Sequence, residues 1–164
     1  MALSQTGYVT IEELNAFKLL PSAKRYEKGP VAIVECIQEI PCDPCEVACT
    51  KKAIIVGKPI TTIPRVDEDA CNGCGVCVAL CPGLAIFLVD KTYSEKEATV
   101  AFPYEYFPLP KEGDEVHAVN RKGEIVGKAK VIKVMNPESF NKTPVVTIAV
   151  PKELADDVRT MKKL

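Results

Sequence analysis

Eight cysteines are the residues of this chain with the strongest claim to chemistry, and they fall in two groups. The second group is Cys71-x2-Cys74-x2-Cys77-x3-Cys81 with Pro82 after it, and the first is Cys36-x5-Cys42-x2-Cys45-x3-Cys49 with Thr50 after it. Thiolates at every third residue wrap the backbone around one corner of an iron–sulfur cubane, so that each sulfur reaches a different iron. A fourth cysteine, one helical turn later, points away from the group it follows. Gly73 and Gly75 let the backbone approach closely and aim amide N–H groups at sulfur. The first loop instead carries Pro41 and Pro44, which have no N–H to give. Pro82 stops a helix and sets the exit of the chain.

Other chemistries for these cysteines fit less well. Structural zinc sites favour two C-x2-C pairs well apart in sequence, and a run of three with a fourth feeding elsewhere does not match that. A disulfide framework belongs to oxidising compartments. The start of the chain lacks the basic and apolar regions of a signal peptide, and the uncharged stretch Val76 to Val89 is interrupted by Cys81, Pro82 and Gly83, so the expectation is a cytoplasmic protein with no membrane span. The formal net charge is −1 over 164 residues, which leaves no field to attract nucleic acid. Residues 31–90 hold four Lys and Arg against eight Asp and Glu, so the cysteine-bearing part is the acidic part. His117 is the one histidine, which excludes a Rieske-type centre within the chain. No glycine-rich nucleotide fingerprint, P-loop or catalytic triad is present, and Lys128, Lys130 and Lys133 read as the solvated face of a strand.

The elements that must position the cysteines follow from periodicity and turn residues. Residues 1–30 read as an arm, with a Thr10/Glu13 capping box opening a helix at Ile11 that Pro21 limits to about two turns. Residues 31–90 carry a weak internal duplication: strand, cysteine loop, short helix, strand, with strands expected at Val31–Glu35, Ala53–Val56, Thr62–Val66 and Ala85–Val89. That predicts a pseudo-twofold unit. Ala101–Pro110 is an extended proline-rich connector with the aromatics Phe102, Tyr104, Tyr106 and Phe107. Glu115–Val119, Gly123–Val134 and Pro144–Val150 predict a small antiparallel β unit, and Pro151 is expected to open a last helix with Leu154, Val158 and Met161 on one face.

On the cysteine runs, residues 31–90 resemble the two-cluster bacterial-type ferredoxin domain. The expected fold is α+β, with an N-terminal arm at 1–30, the pseudo-twofold two-cluster ferredoxin domain at 31–104, and at 105–164 a β-rich docking unit ending in a helix. The resemblance implies two [4Fe–4S] clusters in the middle domain. It implies crossed ligation of two [4Fe–4S] clusters, one by Cys36, Cys42, Cys45 and Cys81, the other by Cys71, Cys74, Cys77 and Cys49. The displaced Cys36 departs from the family spacing. The segments GPVAIVECIQEIPCDPCEVAC, CPGLAIFLVD and PYEYFPLPKEGDEV resemble small ferredoxin-like subunits that accompany FAD-dependent amine or imino-acid dehydrogenases of the proline dehydrogenase and hydrogen-cyanide-synthase-like type in anaerobes. This implies FAD and a [2Fe–2S] protein in partner chains, and a chain that is an electron-transfer subunit rather than an enzyme by itself. The alternatives are a free-standing soluble ferredoxin, or a ferredoxin subunit of another oxidoreductase such as a 2-oxoacid:ferredoxin enzyme or a hydrogenase.

Overall fold

A computed structural model describes residues 3–164. The fold is α+β, with short helices on a large antiparallel sheet. The helices are α1 (Leu3–Thr6), α2 (Ile11–Ala16), α3 (Ala23–Tyr26), α4 (Pro44–Ala48) and α5 (Val76–Leu80). The strands are β1 (Val31–Val34), β2 (Ile54–Ile55), β3 (Arg65–Val66), β4 (Ile86–Asp90), β5 (Glu97–Pro103), β6 (Glu115–Asn120), β7 (Ile125–Met135), β8 (Val145–Pro151) and β9 (Val158–Met161). Seven strands form one sheet in the order β1-β4-β5-β8-β7-β6-β9, while β2 and β3 pair only with each other.

The capping box at the head of α2 is formed, with the Thr10 side chain accepting from the Glu13 N–H and the Glu13 carboxylate accepting from the Thr10 N–H. A helix of this length needs tertiary support. Leu14 supplies it, fully buried with Leu19 and Ile37. The duplicated halves of residues 31–90 are not equivalent. β1 and β4 pair along four residues and join the large sheet, whereas β2 and β3 pair along two residues in isolation. The pseudo-twofold symmetry is therefore not expressed as two like halves.

The sheet runs through the boundary expected at residues 104 and 105, because β5 pairs with β8 along seven residues. The first third of the connector is thus a central strand, which burial of Phe102 and Tyr104 explains, while Tyr106 and Phe107 stay exposed. The expected last helix is corrected. Lys152–Leu154 forms one 3-10 turn and Val158–Met161 forms β9 against β6. Val158, Thr160 and Met161 suit an extended edge, and Arg159 is held there by a buried ion pair with Glu35 at 2.6 Å.

Side chains alternate across a strand. Ile33, Val100, Ile148 and Met161 therefore join one core cluster, while Ala32, Val34, Ile86 and Val145 join another that includes Cys45, Cys77, Val78 and Ile54. The second face is the floor on which both cysteine loops lie.

Candidate functional site

The first cysteine loop leaves β1, bends at Cys42, whose N–H donates to the Ile60 carbonyl at 3.3 Å, and enters α4 with Pro44 in its first turn. Cys45 on α4 is buried. Cys36, Cys42 and Cys45 meet Cys81, which caps the end of α5 from the other loop, around one cavity walled by Val34, Pro64 and Ile86. The second loop holds Cys71, Cys74 and Cys77. These meet Cys49, which caps α4, around another cavity walled by Ala32, Ile54 and Leu88. Each cavity thus takes three thiols from its own run and one from the other.

The last cysteine of each run is also an acceptor. The Ala53 N–H donates to Cys49 Sγ at 3.2 Å, and the Ala85 N–H donates to Cys81 Sγ at 3.5 Å. Such bonds favour negative charge on sulfur.

The second cavity has a brace from outside the cysteine region. Arg25 of α3 is 4% exposed and has backbone carbonyls as its partners. Its Nε donates to Glu68 O at 2.6 Å, its Nη1 to Gly29 O at 2.9 Å, and its Nη2 to Pro30 O at 2.8 Å and Cys71 O at 2.7 Å. Ser22, capping α3, donates its N–H and hydroxyl to the Glu68 carboxylate, and these bonds hold that carboxyl below its ordinary pKa. Gly73 has φ +68°, and a Cβ there would stand 2.6 Å from the Pro30 ring and 2.7 Å from its carbonyl. Gly75 caps α5 at φ +84°. Neither position admits another residue without strain.

Burial governs the thiols. It pushes Cys77 up to about 12, with Cys71, Cys74 and Cys49 adding to the rise as neighbouring sulfurs. It pushes Cys45 up to about 11, helped by Cys81 and Cys42. Cys36 is raised by burial first, and by Cys81 and Cys42. The chain alone therefore keeps these groups as neutral thiols.

Among the described residues, no group of three or more His, Cys, Asp or Glu stands where it could hold a metal ion. This corrects the expectation of two [4Fe–4S] clusters held by this chain. Burial holds Cys36, Cys45 and Cys77 as neutral thiols, which bind no metal until they lose their protons. The cavities are nonetheless lined by soft sulfur donors within apolar walls.

Residues 64–87, which include Cys71, Cys74, Cys77 and Cys81, match the family described as a 4Fe-4S binding domain. This segment is similar to ferredoxin-type iron–sulfur domains. The chain is similar to Protein Pixie of Drosophila melanogaster, 28% identical over 97 residues, which are 56% of this chain and 16% of that protein. It is similar to translation initiation factor rli1 of Schizosaccharomyces pombe, 32% identical over 98 residues, again 56% of this chain and 16% of that protein. It is also similar to the ferredoxin-type protein NapF of Escherichia coli, 39% identical over 51 residues, 30% of this chain and 31% of NapF. The chain thus spans between about a sixth and a third of the length of these relatives. No solved structure matches it significantly. The relatives are ferredoxin-type and initiation-factor proteins, which overturns the resemblance to subunits of FAD-dependent amine or imino-acid dehydrogenases. Two of the three segments behind that resemblance carry cysteines that ferredoxin-type proteins share in general, and the third, PYEYFPLPKEGDEV, is short.

The remaining sequence candidates fall away from the cavities. His117 is exposed on β6, and Lys128, Lys130 and Lys133 are exposed along β7. No helix among the described residues is long and apolar enough to cross a membrane. Two features went unnoticed in the sequence. One is Arg25, whose only signal is a lone arginine just ahead of Gly29–Pro30. The other is the buried cluster of Glu35, Arg121 and Arg159, drawn from positions with no shared motif.

Proposed function

We propose that this chain is an iron–sulfur electron carrier of the ferredoxin type. The observation that supports it best is the sharing of cysteines between runs, which gives each cavity four sulfur donors. In this reading the candidate ligands are the cysteines that line the thiol cavities, Cys36, Cys42, Cys45 and Cys81 in one and Cys71, Cys74, Cys77 and Cys49 in the other. The iron–sulfur group supplies the one-electron chemistry. The chain supplies thiols that lose their protons on ligation, N–H donors at Cys49 and Cys81 that favour charge on sulfur, and apolar walls that exclude water. Burial and hydrogen bonds to sulfur are two of the levers that set a reduction potential. The chain transforms no substrate itself and passes electrons between other redox proteins, in a reducing cytoplasm where eight thiols persist.

The test is anaerobic preparation followed by iron and acid-labile sulfide analysis and a reductive titration. Expected are iron and sulfide in equal amounts, a brown colour that bleaches reversibly, and one-electron steps. Zinc without labile sulfide overturns the proposal. Anaerobic co-purification from the native source separates a free carrier from a bound subunit of a larger oxidoreductase.

A further inference from the structure

Cys36 is the displaced member of the first run, with five residues between it and Cys42 where two separate Cys71 from Cys74. A longer spacer leaves more freedom to a thiol that must still face Cys42, Cys45 and Cys81 across the first cavity. In the other run, Cys71 is tied through its own carbonyl to Arg25. At Cys36 the two flanking residues are tied, and to opposite ends of the chain.

On one side stands Glu35. Its N–H donates to the Ala85 carbonyl at 2.8 Å, which carries the β1–β4 ladder one residue past Val34. Its buried carboxylate takes Arg121, with Nε to Oε2 at 2.9 Å and Nη2 to Oε1 at 2.5 Å, and Arg159, with Nε to Oε1 at 2.6 Å. Both guanidiniums are anchored in turn. Arg121 Nη1 donates to the Asp156 carbonyl and stands 3.7 Å from the Asp157 carboxylate, and Arg159 Nη1 donates to the Ala155 and Val158 carbonyls. Two carboxylates thus meet two guanidiniums in a network whose planar forks fix its geometry. On the other side stands Ile37, buried with Val9, Leu14 and Leu19 of the N-terminal segment.

Alternation along β1 connects these anchors to the thiol. Ala32, Val34 and Cys36 pack on the thiol face, and Ile33 joins the opposite core. Glu35 continues that opposite set. A slip of one residue would turn Cys36 away from its cavity, and it would pull the Glu35 carboxylate out of both guanidinium forks. Neighbouring Cα atoms are only about 3.8 Å apart, so a residue with both neighbours held has little room to move.

We propose that the N-terminal arm and the C-terminal strands act together as a two-sided clamp on Cys36, which makes Glu35 and Ile37 positioning residues for the first thiol cavity. Its meaning for electron transfer rests on the reading of Cys36 as a candidate ligand. The clamp gives the segments outside the cysteine runs a part in the site, and it supplies the constraint that the longer spacer gives up.

Anaerobic alkylation of the full-length protein with iodoacetamide, with each labelled cysteine mapped by mass spectrometry, tests the clamp. Cys77, buried in the other cavity, is the internal reference. Local release frees one site, whereas general loss of stability opens all buried sites together. Glu35→Gln and Ile37→Ala should each speed labelling of Cys36 about tenfold with Cys77 at the parent rate. Arg121→Lys keeps a positive charge beside Glu35 but loses the fork, and should give a smaller selective rise of about threefold. That variant and Ile37→Ala keep the test decisive if Glu35→Gln does not fold. Equal acceleration of Cys36 and Cys77, or an unchanged Cys36, would reduce the network to general stability and overturn the proposal. A selective rise from one side only would overturn the two-sided clamp. Iron and acid-labile sulfide measured on the same samples keep the two readings apart, since zinc without sulfide sinks the electron carrier and leaves the labelling ratios standing.

Discussion

The two thiol cavities hold the same donors but are built by different means. The second is braced from outside: Arg25 ties the Cys71 carbonyl to Gly29, Pro30 and Glu68, and Gly73 turns in left-handed geometry against Pro30. The first has no left-handed residue anywhere between Cys36 and Cys49 and leans on Pro41, Pro44 and the packing of α4. Glycine in one loop and proline in the other thus solve the same problem. Glycine admits a conformation that only a tight neighbour enforces, whereas proline limits the loop before any neighbour arrives. The second cavity should therefore be fragile to single changes at a few positions, and the first tolerant.

The largest expected effect is at Gly73. Gly73→Ala places a methyl 2.6–2.7 Å from the Pro30 ring and carbonyl at a backbone angle of φ +68°. Strain and overlap together should cost about 2–5 kcal/mol. Chemical denaturation should register that loss. Unchanged stability and iron content would mean that the brace does not hold the loop.

Arg25→Met comes next. It leaves the carbonyls of Glu68, Gly29, Pro30 and Cys71 without this donor, a pair from each of two chain segments. Bonds of a charged donor to buried acceptors suggest a loss of about 3 kcal/mol. Arg25→Lys should recover part of it, since one ammonium can serve some of the carbonyls but not all four in their plane. If Lys and Met variants are equally impaired, the planar fork is not what positions Cys71.

The contrast between the loops also explains what was legible in the sequence. Spacing alone separated the two cysteine runs and the short helix after each, because repeated thiols and flanking glycine or proline are local signals. Val31–Val34, Ile86–Asp90 and Val145–Pro151 were legible as strands because they are continuous apolar runs. The strand at Glu97–Pro103 was hidden by its polar start and by the prolines after it. The strand at Val158–Met161 was read as helix because Leu154, Val158 and Met161 fit a helical spacing. What decided between the two is the ion pair of Arg159 with Glu35, 124 residues apart, which no window of sequence contains. Arg25 was illegible for the same reason, since its partner Cys71 lies 46 residues on.

Alkaline pH should separate the cavities further in iron-free protein. Burial raises Cys77 to about 12 and Cys45 to about 11, both from an ordinary value of 9.0. Both are raised, so their contribution is fully present below pH 9 and is lost as the pH climbs toward the folded values, because the unfolded chain gives up its proton first. Between pH 9 and 10 each can cost no more than about 1.4 kcal/mol. Cys77→Val should flatten the fall in stability from pH 9 to 12 more than Cys45→Val does. Equal flattening, read from denaturation midpoints across that range, would show that the two thiols are desolvated alike.

The smallest effect is the one that sharpens the comparison most, because it concerns the tolerant loop. Pro44 opens α4, where its missing N–H leaves no intrahelical bond unmade and its fixed φ already suits the helix. Pro44→Ala should therefore change no contact of Cys45 and should act through the unfolded chain, which gains freedom. That predicts a loss of only about 0.4–1 kcal/mol. Iron content and the visible spectrum should match the parent protein, while the denaturation midpoint falls slightly with an unchanged slope. A loss as large as that of Gly73→Ala would mean that this loop is as tightly specified as the second and that its prolines serve as more than a limit on the unfolded chain.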